Sequence, residues 1–133
     1  MTKKKLKPLS KLKKEADKHF SLYIRTKYAS KNGIVKCVTC GKVDHYKKMH
    51  AGHYVTRNYL ATRWDERNVF PQCPGCNIWG GGKHDEYALF LIDTFGPNIL
   101  QELNAKKKEL IKMKRQDYEK LIATFAAKNA TKE

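Results

Sequence analysis

No stretch of this sequence approaches the roughly 18 consecutive apolar residues that a membrane-spanning helix requires. The basic start, MTKKKLKPLSKLKK, has no apolar segment behind it and does not read as a secretory leader. Acids are scarce: 13 Asp and Glu stand against 28 Lys and Arg in 133 residues. Beyond one pair of Cys-x-x-Cys motifs there is no internal repeat, and no RRM, KH or Gly-x-x-Gly pattern marks an RNA-binding module. These absences point to an intracellular, cytoplasmic chain of one domain with helical extensions. A chain this short builds a modest core, so a structural metal would help it.

The charge balance leaves a formal +15. A polyanion is the expected partner, and nucleic acid is the commonest one. The bland alternative is a basic surface that only keeps the protein soluble. An anionic membrane fits less well, because no Trp-rich apolar face stands opposite the charge.

The four cysteines form two pairs, Cys37-x-x-Cys40 and Cys73-x-x-Cys76. Disulfides are disfavoured in the cytosol. A dithiol redox site needs one such pair in a βαβ pattern, which is absent here. Two pairs match tetrahedral Zn²⁺ of the closed, structural kind. Gly41 after the first pair, and Pro74-Gly75 within the second, suit the tight turns such knuckles use.

Along the chain, residues 1–8 read as a lysine-rich tail. A helix is expected over 9–32, with its apolar positions at Leu9, Leu12, Ala16, Phe20 and Tyr23, Ser10 as cap and Asn32-Gly33 as its end. A zinc-containing core is expected over 33–96. It should hold one strand from Ile34 to Val38, a second from Tyr46 to Tyr54, a loop over 55–67, and an extended piece from Asn68 to Gln72. A glycine break at 80–82 and a helix from Tyr87 to Phe95 would complete it. Residues 97–133 read as helix with a kink near Asn104 and a stripe through Leu100, Leu103, Leu110, Ile111, Tyr118, Leu121, Ile122 and Phe125. The fold class is α+β: a ββα-metal (HNH, His-Me finger) core with a four-cysteine zinc site, flanked by basic helices.

Between the cysteine pairs lies His50-Ala-Gly-His53; Asn68 precedes the second pair and Asn77 follows it. Phosphodiester hydrolysis needs a base to activate water and a hard divalent cation at the scissile phosphate. Read this way, His53 is the general base, Asn77 a carbonyl ligand for Mg²⁺ or Mn²⁺, and Asn68 the residue that ties the loop to the strand and orients His53. Each has a plainer reading. The histidines can be surface residues or zinc ligands, and Asn77 can be only a helix N-cap.

With these blocks in view, the order Cys37-Val-Thr-Cys-Gly, His50-Ala-Gly-His-Tyr, Arg63-Trp-Asp-Glu-Arg-Asn-Val, Gln72-Cys-Pro-Gly-Cys-Asn77 and Asp85-Glu-Tyr resembles the NinG (Rap) recombination nucleases of lambdoid phages. The resemblance covers about residues 19–125. It implies a structure-selective endonuclease that cuts Holliday junctions and D-loops by metal-dependent hydrolysis. More distantly, the plan is similar to the endonuclease seven type of phage resolvase. That type carries an Asp directly before the catalytic His, whereas this chain has Gly52. Candidates to complete the metal site are His50, Glu86, Asp65 and Asp85, with His50 and Glu86 favoured because they fall in matched blocks.

Arg57, Arg63, Arg67 and Lys83 are the expected DNA contacts near the site. Lysines at both ends of the chain suit sequence-independent phosphate binding. Trp64 and Tyr59 are candidates to stack on bases, while Trp79 beside the glycines has no assigned role. A two-fold junction would suit a homodimer. Two other readings stand beside the leading one: a non-catalytic zinc-stabilised module that binds branched DNA, and an HNH nuclease that cuts duplex DNA at a sequence.

Overall fold

The computed structural model describes residues 5–131, so the first four residues of the basic tail lie outside the described part. Nine elements follow in order: α1 (Leu9–Lys27), β1 (Ile34–Lys36), β2 (Val43–His45), β3 (His50–His53), α2 (Leu60–Arg63), β4 (Val69–Gln72), α3 (His84–Phe95), α4 (Ile99–Lys107) and α5 (Arg115–Ala130). The class is α+β. No helix among the described residues is long and apolar enough to cross a membrane. The chain divides into two compact units, one of residues up to 23 with those from 112 onward, the other of residues 24–111.

In the first unit, Leu12, Ala16 and Phe20 recur every fourth residue and are buried, as a helix that hides one stripe requires. Phe20 meets Phe125 of α5 edge to face at 4.9 Å, and Tyr23 lies 5.2 Å from the same ring. Asn129 donates to the His19 carbonyl at 3.0 Å.

Several boundaries differ from expectation. Ser10 does not cap α1, because the Pro8 carbonyl already takes the amides of Lys11 and Leu12. Asn32-Gly33 does not end α1 either. The helix stops at Lys27, and Ser30 builds the following turn by exchanging hydrogen bonds with Ile34. Gly33, at φ +80°, serves that turn. The long C-terminal helix breaks over residues 108–114 rather than near Asn104, leaving Leu110 and Ile111 exposed. Three lysines close α4, where the helix dipole favours them, and α5 starts afresh with the Asp117 carboxylate accepting from the Lys114 amide at 2.8 Å.

The second unit is built on two antiparallel two-stranded sheets. The first pairs Ile34 with His45 and Lys36 with Val43. Its second strand, β2, is short and its Val43 is exposed, so the sequence carries little sign of it. The strand expected over 46–54 is shorter, because residues 46–48 wind into a 3₁₀ turn whose Lys47 amide is capped by His45 Nδ1. Arg25 donates to the Tyr46 carbonyl at 3.0 Å and holds that turn. The second sheet pairs His50 with Gln72 and His53 with Val69. Val55, Phe70, Tyr87, Leu91, Ile99 and Leu103 form the main core, so α4 joins this unit beside α3.

Asp65, considered above as a metal ligand, is committed elsewhere. Its carboxylate lies 2.8 Å from Lys106 and 3.1 Å from Arg67, tying the α2–β4 loop to α4. Burial pushes its pKa up, but hydrogen bonds from Arg67 and Lys106 outweigh that and leave it below the usual Asp value. A depressed folded-state pKa contributes stability above the unfolded value, near 3.9, and loses it as pH falls through the folded value. Asp65→Asn is expected to cost about 1–3 kcal/mol at neutral pH. In denaturant melts, that difference from the parent should shrink as the pH is taken below about 4.

Candidate functional site

The four cysteines come together as their spacing predicts. Their Sγ atoms all lie within 4.8 Å of one another, and Cys40 Sγ is 3.6 Å from Cys73 Sγ across the two knuckles. A tetrahedral zinc with bonds of about 2.3 Å would set its sulfurs roughly 3.8 Å apart, so the cluster fits the ion. Cys37, Cys73 and Cys76 are buried together with Val35 and Met49. The Gly41 turn, at φ +82°, brings the Lys42 amide 3.4 Å from Cys40 Sγ. Burial raises the Cys37 thiol, but the Thr39 hydroxyl at 3.3 Å and backbone amides reverse this and bring it down to about 6. Burial pushes Cys76 up to about 12. A zinc ion, if held there, would override this split by keeping all four as thiolates. Neither His50 nor His53 belongs to the cluster, which removes the reading of either as a zinc ligand there.

Beside the knuckles, β3 presents the histidines. His53 Nε2 lies 2.8 Å from the Arg63 carbonyl. A carbonyl only accepts, so Nε2 carries the proton and Nδ1 is the basic nitrogen. Asn68 is fully buried and staples the loop that supplies this carbonyl. Its Oδ1 accepts from the Val55 amide at 2.7 Å, and its Nδ2 donates to the carbonyls of Val55 and Thr62 at 3.0 and 3.1 Å.

Asn77 does not open a helix. It sits in a wide π turn, Gly75–Trp79, and α3 begins only at His84, after the glycines. The turn follows from the second knuckle, whose Cys73 carbonyl accepts the Asn77 amide at 2.9 Å. From there the Asn77 side-chain amide reaches His50 Nδ1 at 3.0 Å. His50 and Asn77 are thus brought together, while Glu86 is exposed in the first turn of α3. His50, His53 and Glu86 do not form a second cluster of metal-binding side chains among the described residues.

The arginines divide. Arg67 is engaged by Asp65 and Glu102. Arg63 donates to the Arg57 carbonyl at 2.7 Å and lies over the Trp64 ring. Arg57 and Lys83 are exposed.

One residue escaped the sequence reading. Gln72, opposite His50, is fully buried, and its carboxamide fills the volume that a side chain at position 52 would take. Gln72 Nε2 donates to Thr39 Oγ1 at 3.1 Å and to the Gly82 carbonyl at 3.0 Å. Tyr87, its hydroxyl pKa raised by burial, donates to the Gly52 carbonyl at 2.6 Å. Gly52 is therefore not a lost ligand in an open space. The strand needs a residue without Cβ there, and only the unusual pairing of a glycine with a buried glutamine in matched blocks hinted at it.

Four clustered thiols on an α+β chain beside a histidine-bearing hairpin define a small protein with a four-cysteine cluster able to hold a metal ion. Its family is shown by comparison: residues 1–133 match the family model described as Bacteriophage Lambda NinG protein, and the chain belongs to the NinG family. It is similar to Protein ninG of Salmonella phage P22, 31% identical over 104 residues, covering 77% of this chain and 49% of that protein. It is likewise similar to Protein ninG of Escherichia phage 933W, 31% identical over 101 residues, covering 75% and 48%. For Escherichia phage lambda the figures are 30% over 101 residues, covering 75% and 47%. The chain spans about half the length of the curated relatives it matches. No solved structure gives a significant match.

The packing at position 52 is testable. Gly52→Ala should lose about 1–3 kcal/mol by overpacking. Adding Gln72→Ala should recover part of that loss. In chemical denaturation, a strictly additive double variant would show that the two positions do not compete for one space.

Proposed function

We propose that this chain is the core of a divalent-metal-dependent DNA endonuclease of the HNH, or ββα-metal, type, acting on branched DNA in the host cytoplasm. The observation that carries this reading is the hydrogen bond between His53 Nε2 and the Arg63 carbonyl. It leaves Nδ1 as the proton acceptor, the form a general base requires at neutral pH. Asn68 holds the carbonyl in place by its three hydrogen bonds, so the tautomer is built into the loop. In this reading β3, β4 and α3 are the two strands and the helix of the motif.

Asn77 and His50, 3.0 Å apart, are the residues that would hold Mg²⁺ or Mn²⁺, with Glu86 as the nearby carboxylate in sequence terms. When bound, such an ion supplies positive charge to the scissile phosphate and the leaving oxygen. The chain's own part is threefold. His53 takes the proton of the attacking water at Nδ1. The zinc knuckle fixes Asn77 against β3, and Arg57, Arg63 and Lys83 offer cationic contacts to phosphate. The branched substrate is what the resemblance to NinG nucleases implies, and the +15 charge supports a polyanion of some kind. Paired cuts across a junction fit a homodimer.

Gly52 favours a second reading. With that position closed by Gln72, the chain lacks the Asp that resolvases place before the histidine. A zinc-stabilised module that binds branched DNA without cutting it would look the same.

Cleavage of a labelled four-way junction, beside a linear duplex of the same sequence with Mg²⁺ or Mn²⁺, separates the two. The parent should cut the junction preferentially, and His53→Ala should bind it yet cut roughly 10²–10⁴-fold more slowly. Binding by both proteins without cleavage in either metal establishes the second reading. Zinc and catalytic ion should also part under chelation. Low chelator is expected to stop cleavage while circular dichroism stays native, and simultaneous loss of both would refute separate metals.

A further inference from the structure

Trp79 stands on the knuckle turn two residues after Asn77, and it is 85% exposed. Its neighbour Ile78 is 56% exposed. Among the described residues the indole makes no ring or cation contact. An exposed large apolar side chain is informative where an exposed small one is not.

The turn that carries it is well tied. The Gly80 amide donates to the Gly75 carbonyl at 2.7 Å, and the Gly82 amide to the Cys76 carbonyl at 2.8 Å. Gly81, Gly82 and Lys83 then take left-handed φ values of +64°, +88° and +49° in succession. A non-glycine residue enters that region at a cost, so Lys83 is held there by the surrounding turn. The aliphatic part of the Lys83 side chain folds back along Gly80, its Cδ and Cε standing where a side chain at 80 would be, on the turn that carries Ile78 and Trp79.

We infer that Ile78–Trp79 is a wedge that stacks on an unpaired or unstacked nucleobase of branched DNA, with Lys83 meeting the adjoining phosphate. This rests on the nuclease reading above and adds to it the feature that tells a branch from a continuous duplex. Aromatic side chains take any base, because every base has a π face, and so they read the loss of stacking rather than sequence. A continuous duplex offers no open base face to the knob. Two side chains expose on the order of 300 Å², far below the roughly 800 Å² per partner of a stable protein interface. One base face, by contrast, is a matched surface. The +15 charge of the chain favours a polyanion over an apolar partner.

The test is binding without divalent metal, so that nothing is cut, using the zinc-loaded parent, Trp79→Ala and Trp79→Phe. Each is titrated against a four-way junction and a linear duplex with the same arms, read by fluorescence anisotropy. Trp79→Ala should weaken junction binding roughly tenfold to a hundredfold. Its duplex affinity should stay within about twofold of the parent, and Trp79→Phe should restore most of the junction affinity. An unchanged junction affinity, an equal loss on duplex, or a parent without junction preference overturns the wedge. A change of oligomeric state by light scattering at constant DNA affinity also overturns it and assigns the knob to a second copy. The nuclease reading fails separately: a parent that shows the Trp79-dependent preference but cleaves nothing keeps the wedge and loses the endonuclease.

Discussion

The unit of residues 24–111 depends on four thiols meeting at one point. Cys40 and Cys73 are 33 residues apart in sequence and their sulfurs are 3.6 Å apart in space. Each of the two sheets has only two strands, and a lone hairpin is marginal in water. Four thiols so placed could hold a tetrahedral ion, which would contribute folding free energy to so small a core. The contact also has a directional effect. By joining the β1 side of the unit to the end of β4, it fixes where the π turn starts, and with it the positions of Asn77 and Trp79.

Buried amides extend this order into the hairpin. Asn68 spends both ends of its side chain on backbone groups of the β3–β4 connection, which is where the His53 tautomer is decided. Gln72 spans from Gly52 to Thr39, and Thr39 in turn lies against Cys37. One continuous set of contacts thus runs from a thiol of the four-cysteine cluster to the strand that bears the histidines. A buried amide without partners would cost several kilocalories per mole; Asn68 satisfies both ends of its carboxamide, and Gln72 satisfies its Nε2 but leaves Oε1 unpartnered among the described residues. The glycine at 52 follows from the same packing: the space of its side chain belongs to β4.

The family comparisons and the geometry bear on different questions. Membership in the NinG family is a property of the whole sequence, and the match covers about half the length of the curated relatives. The arrangement of His53, Asn68, His50 and Asn77 is a property of this unit. It fixes the His53 ring against the Arg63 carbonyl without an aspartate preceding it. The knuckle turn carries both an exposed indole and the exposed Lys83.

What the sequence determined by itself is chemistry that depends on residue type and short spacing. Two Cys-x-x-Cys pairs are expected to meet at one point, as they do, and the recurrence of Leu12, Ala16 and Phe20 at every fourth residue marks one face of α1. Asn68 as a loop staple was legible for the same reason, because a carboxamide before a strand has few other uses. The tertiary structure decided what depends on competition for space between distant residues. Asp65 was drawn to Lys106, 41 residues away. Position 52 was closed by Gln72, 20 residues on, and Asn77 was set in a π turn against His50 rather than at a helix start. Local pattern records what a side chain is able to do, but burial and hydrogen-bond satisfaction are settled only when remote segments pack. That is why the metal cluster could be read in advance, and the partners of the residues around it could not.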